Sequence, residues 1–338
     1  MSGVKDDGWS LVGKVTPVQV DELDLRIVQQ LVIGKNSEPK SERESMQRVA
    51  KNLAVHSNTV AARVRNMTAK RALLPMTVQL QPHNLGFDVA HIFFPVPPER
   101  RTRELEERFF QTPGVHYFWQ YVEGWTIIIY GTNAEDIRSR VAPLERASGA
   151  TGQWEVVSSR DWTSETNPTL DDLDLRIVGA LLSNSRWPLP RLARTLRVPL
   201  RTLRRRHARL FAQRALRYIP HGSTPLQGMV TGYLILEVPG GRNRERVVSQ
   251  VQSLVRDFWS GRVMNRSIHY WTFGRDVGAV TLQAAGVRSV AGVSNVRLRI
   301  LERFFIADMF PTYAVDLLTK AMKHPRAGAQ SAQDPRSK

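Results

Sequence analysis

No cysteine occurs among the 338 residues. Its absence removes disulfides, thiolate metal sites, iron–sulfur clusters and cysteine nucleophiles together, and it fits a reducing compartment. No stretch approaches the roughly 18 consecutive apolar residues that a membrane-spanning helix needs. The opening Met1-Ser2-Gly3-Val4-Lys5-Asp6-Asp7 is too polar and acidic for a secretory signal. Enzyme signatures are equally scarce: Gly-x-Gly-x-x-Gly, the phosphate-binding loop, His-Glu-x-x-His and Gly-x-Ser-x-Gly are all missing. The eight histidines are scattered, with no two at metal-ligand spacing. These absences predict a cytoplasmic protein that is not an enzyme, holds no metal and needs no cofactor.

Acid is also in short supply. Lys and Arg number 48 against 31 Asp and Glu, a formal net charge of +17 and a pI near 10.8. Such an excess favours anionic partners, nucleic acid before a membrane surface. Hydrophobic residues at 42% and charged residues at 23% predict a folded chain rather than a disordered one. Its length allows roughly two to four domains.

The chain contains an internal repeat. Leu23-Asp24-Leu25-Arg26-Ile27-Val28 recurs as Leu173-Asp174-Leu175-Arg176-Ile177-Val178. Thr59-Val60 and Arg63 align with Thr202-Leu203 and Arg206, Ala72-Leu73 with Ala215-Leu216, and Val96-Pro97 with Val238-Pro239. The offset falls from 150 to 143 and then 142, which a short insertion in the first copy, the polar stretch Asn36–Glu44, explains. A tandem duplication follows.

Each copy opens with helical periodicity. Leu23, Ile27, Val28 and Leu31 mark one apolar face, Val49, Ala50 and Leu53 a second, and Val60, Val64 and Met67 a third. Ser57 is the expected N-cap of the third helix. The second copy answers with Ile177, Val178 and Leu181, then Leu192, Ala193 and Leu196, then Leu203, His207 and Leu210. Three short helices with a tight turn before the last make a helix-turn-helix.

The remainder of each copy reads as β-α-β-β-α-β, the ferredoxin-like order. The first copy offers strands at Val89–Val96, His116–Tyr121, Trp125–Tyr130 and Trp154–Ser158, with helices at Thr102–Phe110 and Ala134–Arg146. The second offers a strand at Met229–Val238, a helix at Arg242–Leu254, a strand pair Ile268–Phe273 and Val277–Gln283 around Gly274, and a last strand at Arg297–Glu302. The expected fold class is α+β, two winged-type helix-turn-helix domains alternating with two ferredoxin-like domains. Boundaries fall at 1–20 for an N-terminal tail, 21–75, 76–162, a linker at 163–169, 170–222, 223–310, and a C-terminal tail at 311–338. That tail holds one helix, Tyr313–Met322.

The positive charge is uneven. Residues 170–222 carry twelve arginines and three aspartates, a net +9, whereas residues 21–75 net +4. No acid occurs from Leu175 to Leu236. On the third helix, Arg201, Arg205 and Arg209 fall in one row, flanked by Arg204. A charge run is often just a solvated helix face, but such faces interleave acids with bases. An arginine row on the helix that this motif lays in the major groove instead predicts double-stranded DNA as partner. Most of these arginines should meet phosphate. The DNA-binding set is Asn58, Thr59, Arg63, Arg65, Arg201, Thr202, Arg204, Arg205 and Arg209, with Asn58, Thr59, Arg201 and Thr202 placed for bases.

His116 and His269 on strands read as buried structural residues, and His207 as packing within its helix. The aromatics around them, Tyr117, Trp119, Tyr121, Trp125, Tyr270 and Trp271, suit either sheet packing or a pocket.

A helix-turn-helix followed by β-α-β-β-α-β resembles the Lrp/AsnC (feast/famine) transcriptional regulators. Leu23-Asp24-x-x-Ile27-Val28-x-x-Leu31 is similar to that family's first helix. Leu53-Ala54-Val55-His56-Ser57-Asn58-Thr59-Val60-x-x-Arg63-Val64 is similar to its turn and recognition helix. The resemblance covers most of residues 21–305, once per copy, so one chain resembles a fused dimer. It implies a DNA-binding regulator, homo-oligomers built through the αβ domains, and a small-molecule effector, with Gly124, Trp125, Gly274 and Asp276 at the turns nearest the effector site. There are departures. Ala72 and Ala215 stand where the family usually has Gly, and Pro199 and Leu200 replace polar residues at the start of the recognition helix.

Two rival readings share this architecture. Siroheme decarboxylases combine a similar helix-turn-helix with a similar αβ domain and act on a polycarboxylate, which would give Arg266, His269 and Arg275 the chemistry. Against it stands the concentration of basic charge on the recognition helix. A nucleoid-type protein coating DNA through phosphates is the other.

Overall fold

The computed structural model describes residues 46–69, 73–80, 87–157, 170–183, 187–213, 215–222, 230–238, 244–254, 262–264, 267–307 and 309–323, with Leu85 and isolated positions between 21 and 30. The 1–20 tail, the Asn36–Glu44 insertion, the 163–169 linker, the polar end beyond 323 and Arg266 lie outside the described residues.

In the first half, helices α1 (Met46–Leu53) and α2 (Ser57–Ala69) precede strand β1 (Leu73–Leu80). There follow β2 (Asp88–Phe94), α3 (Arg103–Gln111), β3 (Val115–Tyr121), β4 (Gly124–Gly131), α4 (Ala134–Ser148) and β5 (Gln153–Val157). The second half runs α5 (Asp172–Ser183), α6 (Leu189–Leu196), α7 (Leu200–Ala212), β6 (Leu216–Gly222), β7 (Val230–Glu237), α8 (Arg244–Leu254), β8 (Arg262–Met264), β9 (Ser267–Gly274), α9 (Val277–Arg288) and β10 (Ser294–Ile306). Helix α10 (Phe310–Lys323) closes it. The fold is α+β with antiparallel pairing throughout.

Local chemistry explains these boundaries. Thr102 caps α3 by accepting from the Leu105 amide, Asn133 caps α4 through the Asp136 amide, and Asp276 caps α9 through the Ala279 amide. Gly149 ends α4 at φ +63°. His56, not Ser57, takes the cap position of α2, its Nδ1 accepting from the Asn58 amide at 3.2 Å.

One segment departs from expectation. Val277–Gln283 is not a strand but the start of α9. Its β-branched residues suggested a strand, yet Asp276 caps a helix whose Val280, Ala284 and Val287 recur at helical spacing and are fully buried. The strand that completes the set is the three-residue β8, too short to show alternation.

Eight strands form one curled sheet in the order β5-β2-β4-β3-β10-β7-β9-β8. β10 joins its two parts. Its first stretch pairs with β7, Leu298 opposite Leu234, and its last with β3, Phe305 opposite Phe118. β1 and β6, which follow the two helical units, pair with each other antiparallel.

Alternation sorts the side chains into two faces. Ala90, Ile92, Phe94, Phe118, Trp125, Ile127 and Ile129 pack under α3 and α4, and Leu234, Leu236, Ile268 and Tyr270 lie on the corresponding face of the second part. The opposite, inner face belongs to a separate core that continues into α5–α7 and α10.

Helix α10 is no tail. Ala314, Leu317 and Leu318 are buried in the core shared with α5, where Gly179 brings the two helices so close that a Cβ there would lie 2.9 Å from Val315. Its first residue, Phe310, stacks on His116 of β3 at 3.8 Å and 6°. The Tyr313 hydroxyl donates to the Tyr130 carbonyl at 3.2 Å, and Arg140 sits over the Tyr313 ring.

Candidate functional site

The helix-side faces are apolar, as a packed core requires. The inner faces are not. His91 and Phe93 of β2, Trp119 and Tyr121 of β3, Tyr233 of β7, His269 and Trp271 of β9, Glu155 of β5 and Arg299 of β10 all meet between the two parts of the sheet. His91 and His269 come from opposite parts, with ring centroids 6.1 Å apart and planes nearly perpendicular. Trp119 touches Trp271 at 5.1 Å and Tyr233 at 5.3 Å, and Tyr121 stacks near Tyr233 at 6.1 Å.

Burying such groups costs free energy unless each finds a partner. The Arg299 guanidinium is forked onto Glu155, at 3.0 and 2.5 Å, and lies 3.6 Å over the Phe93 ring. Arg297 shares the same carboxylate at 3.6 Å, so two guanidinium groups face one carboxylate. His269 is held at both nitrogens, Nδ1 by the Tyr233 hydroxyl at 2.7 Å and Nε2 by the Ser267 hydroxyl at 2.9 Å. In this cluster the Trp119 indole N–H and the Tyr121 hydroxyl, each on a buried side chain, have no hydrogen-bond partner among the described residues. Burial pushes the Tyr121 phenol well above its ordinary pKa, with the Tyr233 phenol adding to the effect, so the proton stays on. Unmet donors beside surplus positive charge are the chemistry of an anion-receiving site.

The strand aromatics therefore divide. Trp119, Tyr121 and Trp271 face the interior, while Trp125 and Tyr270 are core under the helices. Of the decarboxylase candidates, His269 is in the cluster and Arg275 is exposed beside the α9 cap. Alternation on β2, β7 and β10 placed His91, Tyr233 and Arg299 inward, but sequence reasoning passed over them, because nothing showed that the two inner faces meet.

The turn residues expected near an effector do packing and capping work. Trp125 is fully buried against Phe109 and Phe118, a Cβ on Gly124 would strike the Phe94 carbonyl at 2.2 Å, and one on Gly274 would meet Ala279 and Val280 at 2.8 Å. Asp276 is the α9 cap.

In the helical units, Asn58, Thr59 and Arg65 on α2 and Arg201, Arg204 and Arg205 on α7 are exposed, with Thr202 half-buried. Arg63 and Arg209 are instead committed inward. Arg63 pairs with Asp21 and, at 3.1 Å, with Asp24. In the second unit Arg206 reaches Asp171 at 2.5 Å and Asp174 at 3.1 Å, and Arg209 also pairs with the fully buried Asp174. Each aspartate pair is itself reciprocal: Asp21 accepts from the Asp24 amide at 2.9 Å and Asp171 from the Asp174 amide at 3.0 Å, with the return bonds at 3.3 and 3.1 Å. The signal was legible as Asp-x-x-Asp beside the aligned Arg63 and Arg206. His207 packs on Phe211 at 4.6 Å.

Among the described residues no helix is long and apolar enough to cross a membrane. No family model and no curated protein matches the sequence. Among solved structures the chain is similar to siroheme decarboxylase NirDL, with a TM-score of 0.51 at 13% identity over 89% of this chain and 100% of that one. It is similar also to that enzyme in complex with an iron-uroporphyrin III analogue, with a TM-score of 0.49 at 14% identity over 88% and 99%. Escherichia coli AsnC is matched at 18% identity over 39% of this chain and 92% of that one, with a TM-score of 0.31. At these identities the likeness is one of fold. It overturns the expectation that the chain is not an enzyme, because the architecture matched along 89% of its length is that of an enzyme.

Proposed function

We propose that this chain is an enzyme that removes carboxyl groups from a carboxylated tetrapyrrole, in the manner of a siroheme decarboxylase, and that the reaction takes place in the cluster between the two parts of the sheet. The observation that carries this reading is the chemistry of the inner faces. Indole and phenol rings suit a flat conjugated macrocycle, and the Trp119, Tyr121 and Arg299 donors suit its carboxylates. Imidazole in the cluster, His269 held between two hydroxyls, suits delivery of the proton that decarboxylation consumes. The same reading makes the chain a fused pseudo-dimer, two winged-type helix-turn-helix units alternating with two ferredoxin-like units, with the β1–β6 pair and β10 as the seams. Incubating the purified chain with siroheme should yield products lighter by whole CO2 units. Siroheme recovered intact from a chain that binds it would overturn the assignment.

A second reading is favoured by one specific observation. Arg201, Arg204 and Arg205 lie exposed on one helix and make no ion pair among the described residues. That face supports binding of double-stranded DNA through phosphates, alongside or instead of catalysis. Recovery of sheared genomic DNA at about 150 mM salt tests it, a range in which phosphate contacts are strongly screened. Enriched fragments sharing a motif support a regulator, uniform recovery a nucleoid coat, and no recovery removes the reading.

A further inference from the structure

Register makes the two parts of the sheet comparable position by position. On β2 and β4, Asp88 stands opposite Gly131, His91 opposite Ile128 and Phe93 opposite Thr126. On β7 and β9, Val230 stands opposite Gly274, Tyr233 opposite Trp271 and Ile235 opposite His269. Gly131 and Gly274 each lie two residues before a helix cap, Asn133 and Asp276. His91 is thus the counterpart of Tyr233, and Thr126 the counterpart of His269. The scaffold is repeated, but the chemistry on it is not.

Among the described residues, the second part carries an unbroken chain of proton-bearing groups. It starts at Ser267, half-buried at the beginning of β9, passes through both nitrogens of His269 and ends at the Tyr233 hydroxyl among Trp119, Tyr121 and Trp271. A hydroxyl both donates and accepts, so the imidazole keeps two hydrogen bonds whether neutral or charged. A proton can therefore cross without leaving a buried group unsatisfied. In the first part Thr126 occupies the imidazole's place, buried and with its hydroxyl making no hydrogen bond among the described residues, so the Ser–His–Tyr chain is not repeated there.

We propose that Ser267-His269-Tyr233 is a proton relay from the protein's edge to the buried cluster, that Tyr233 is the terminal donor, and that each chain has one such centre rather than two. The inference rests on the decarboxylase reading. As CO2 departs from an acetate arm of the macrocycle, the electrons of the broken C–C bond remain on the CH2 carbon, delocalised into the ring. That carbon takes the Tyr233 proton. The phenolate recovers one from His269, which is resupplied from water through Ser267. The sum is R–CH2–COO⁻ + H⁺ → R–CH3 + CO2, with no oxidant or reductant.

The test titrates siroheme into the full-length chain and follows both binding and CO2 release for the parent, Tyr233→Phe, Ser267→Ala and Thr126→Val. One equivalent should bind per chain in all four, which also reports that the variants are folded. Tyr233→Phe should lower the rate about 10²–10⁴-fold, the span of a lost general acid. Ser267→Ala should lower it less, with an altered pH–rate profile, and Thr126→Val should leave it unchanged. Two equivalents bound, a full rate in Tyr233→Phe, or an equal loss in Thr126→Val would each overturn the relay while leaving the decarboxylase reading in place. No siroheme binding by the parent would remove both.

Discussion

Ala54 and Arg197 hold the same left-handed backbone, φ +54° in each, at the turns that lead from α1 into α2 and from α6 into α7. The turns close alike as well. Val55 donates to the Ala50 carbonyl and Val198 to the Ala193 carbonyl, both at 3.0 Å. This is the Schellman arrangement, built without the glycine that usually occupies its left-handed position.

The missing glycine has a measurable consequence. A side chain with a Cβ in this conformation costs about 1–2 kcal/mol. Ala54→Gly and Arg197→Gly should therefore each stabilise the protein, by about 0.5–1 kcal/mol once the greater freedom of glycine in the unfolded chain is subtracted. The midpoint of denaturant unfolding, with an unchanged slope, reads the gain.

The aspartate–arginine clamps predict how acid loosens the helical units. The Arg63 hydrogen bond, helped by the Asp24 amide, holds Asp21 below the usual carboxylate range. At Asp171, burial pulls upward but the Asp174 amide and Arg206 outweigh it, and the net direction is again down. A carboxylate with a depressed folded pKa contributes stability above its unfolded value, near 3.9, and that contribution vanishes as pH falls through the folded value. The parent should thus exceed Arg206→Gln in stability at pH 6, and the gap should close below about pH 4. Thermal melts across that range check the sign.

Exposure separates the arginines of α7 into two behaviours. Replacing Arg201, Arg204 and Arg205 together with Ala should leave the melting temperature nearly unchanged. If the helix meets DNA, it should lower the slope of log affinity against log salt by about 0.9 for each phosphate no longer neutralised. Arg209→Ala should instead cost stability, because it strips one partner from the buried Asp174 carboxylate.

Glu155→Gln should destabilise the protein strongly, by about 3–5 kcal/mol, since it leaves Arg299 buried without a counter-charge. Restoration by the double change Glu155→Gln with Arg299→Met, measured as a double-mutant cycle, would place the loss on the pair rather than on packing.

How far the sequence reached depended on the range of the interactions involved. Helices α2 and α7 and strands β2, β3, β4 and β7 were legible within a residue or two, because each declares itself through periodic burial inside one segment. Val277–Gln283 was misread because residues favourable to strands also fill a helix once Asp276 caps it. Arg63 and Arg209 looked outward by helical spacing, and only the placement of Asp21, Asp24 and Asp174 shows that carboxylates claim them. The cluster between the sheet faces was out of reach for a similar reason. Alternation tells which residues share a face, but not that His91 and His269 face each other.

The seam strand also sets an order of events during synthesis. β3 is buried along its whole length, and residues 301–306 of β10 cover its outer edge. Those residues leave the ribosome roughly 180 positions later, on the order of ten to forty seconds at ordinary elongation rates. Through that interval the nascent first half carries an aromatic strand, Val115–Tyr121, with its backbone groups unpaired on one side, the kind of edge that recruits other chains. Newly made chains should therefore be most prone to aggregate before β10 has been added, and a truncation ahead of that strand should be far less soluble than its hydropathy alone would suggest.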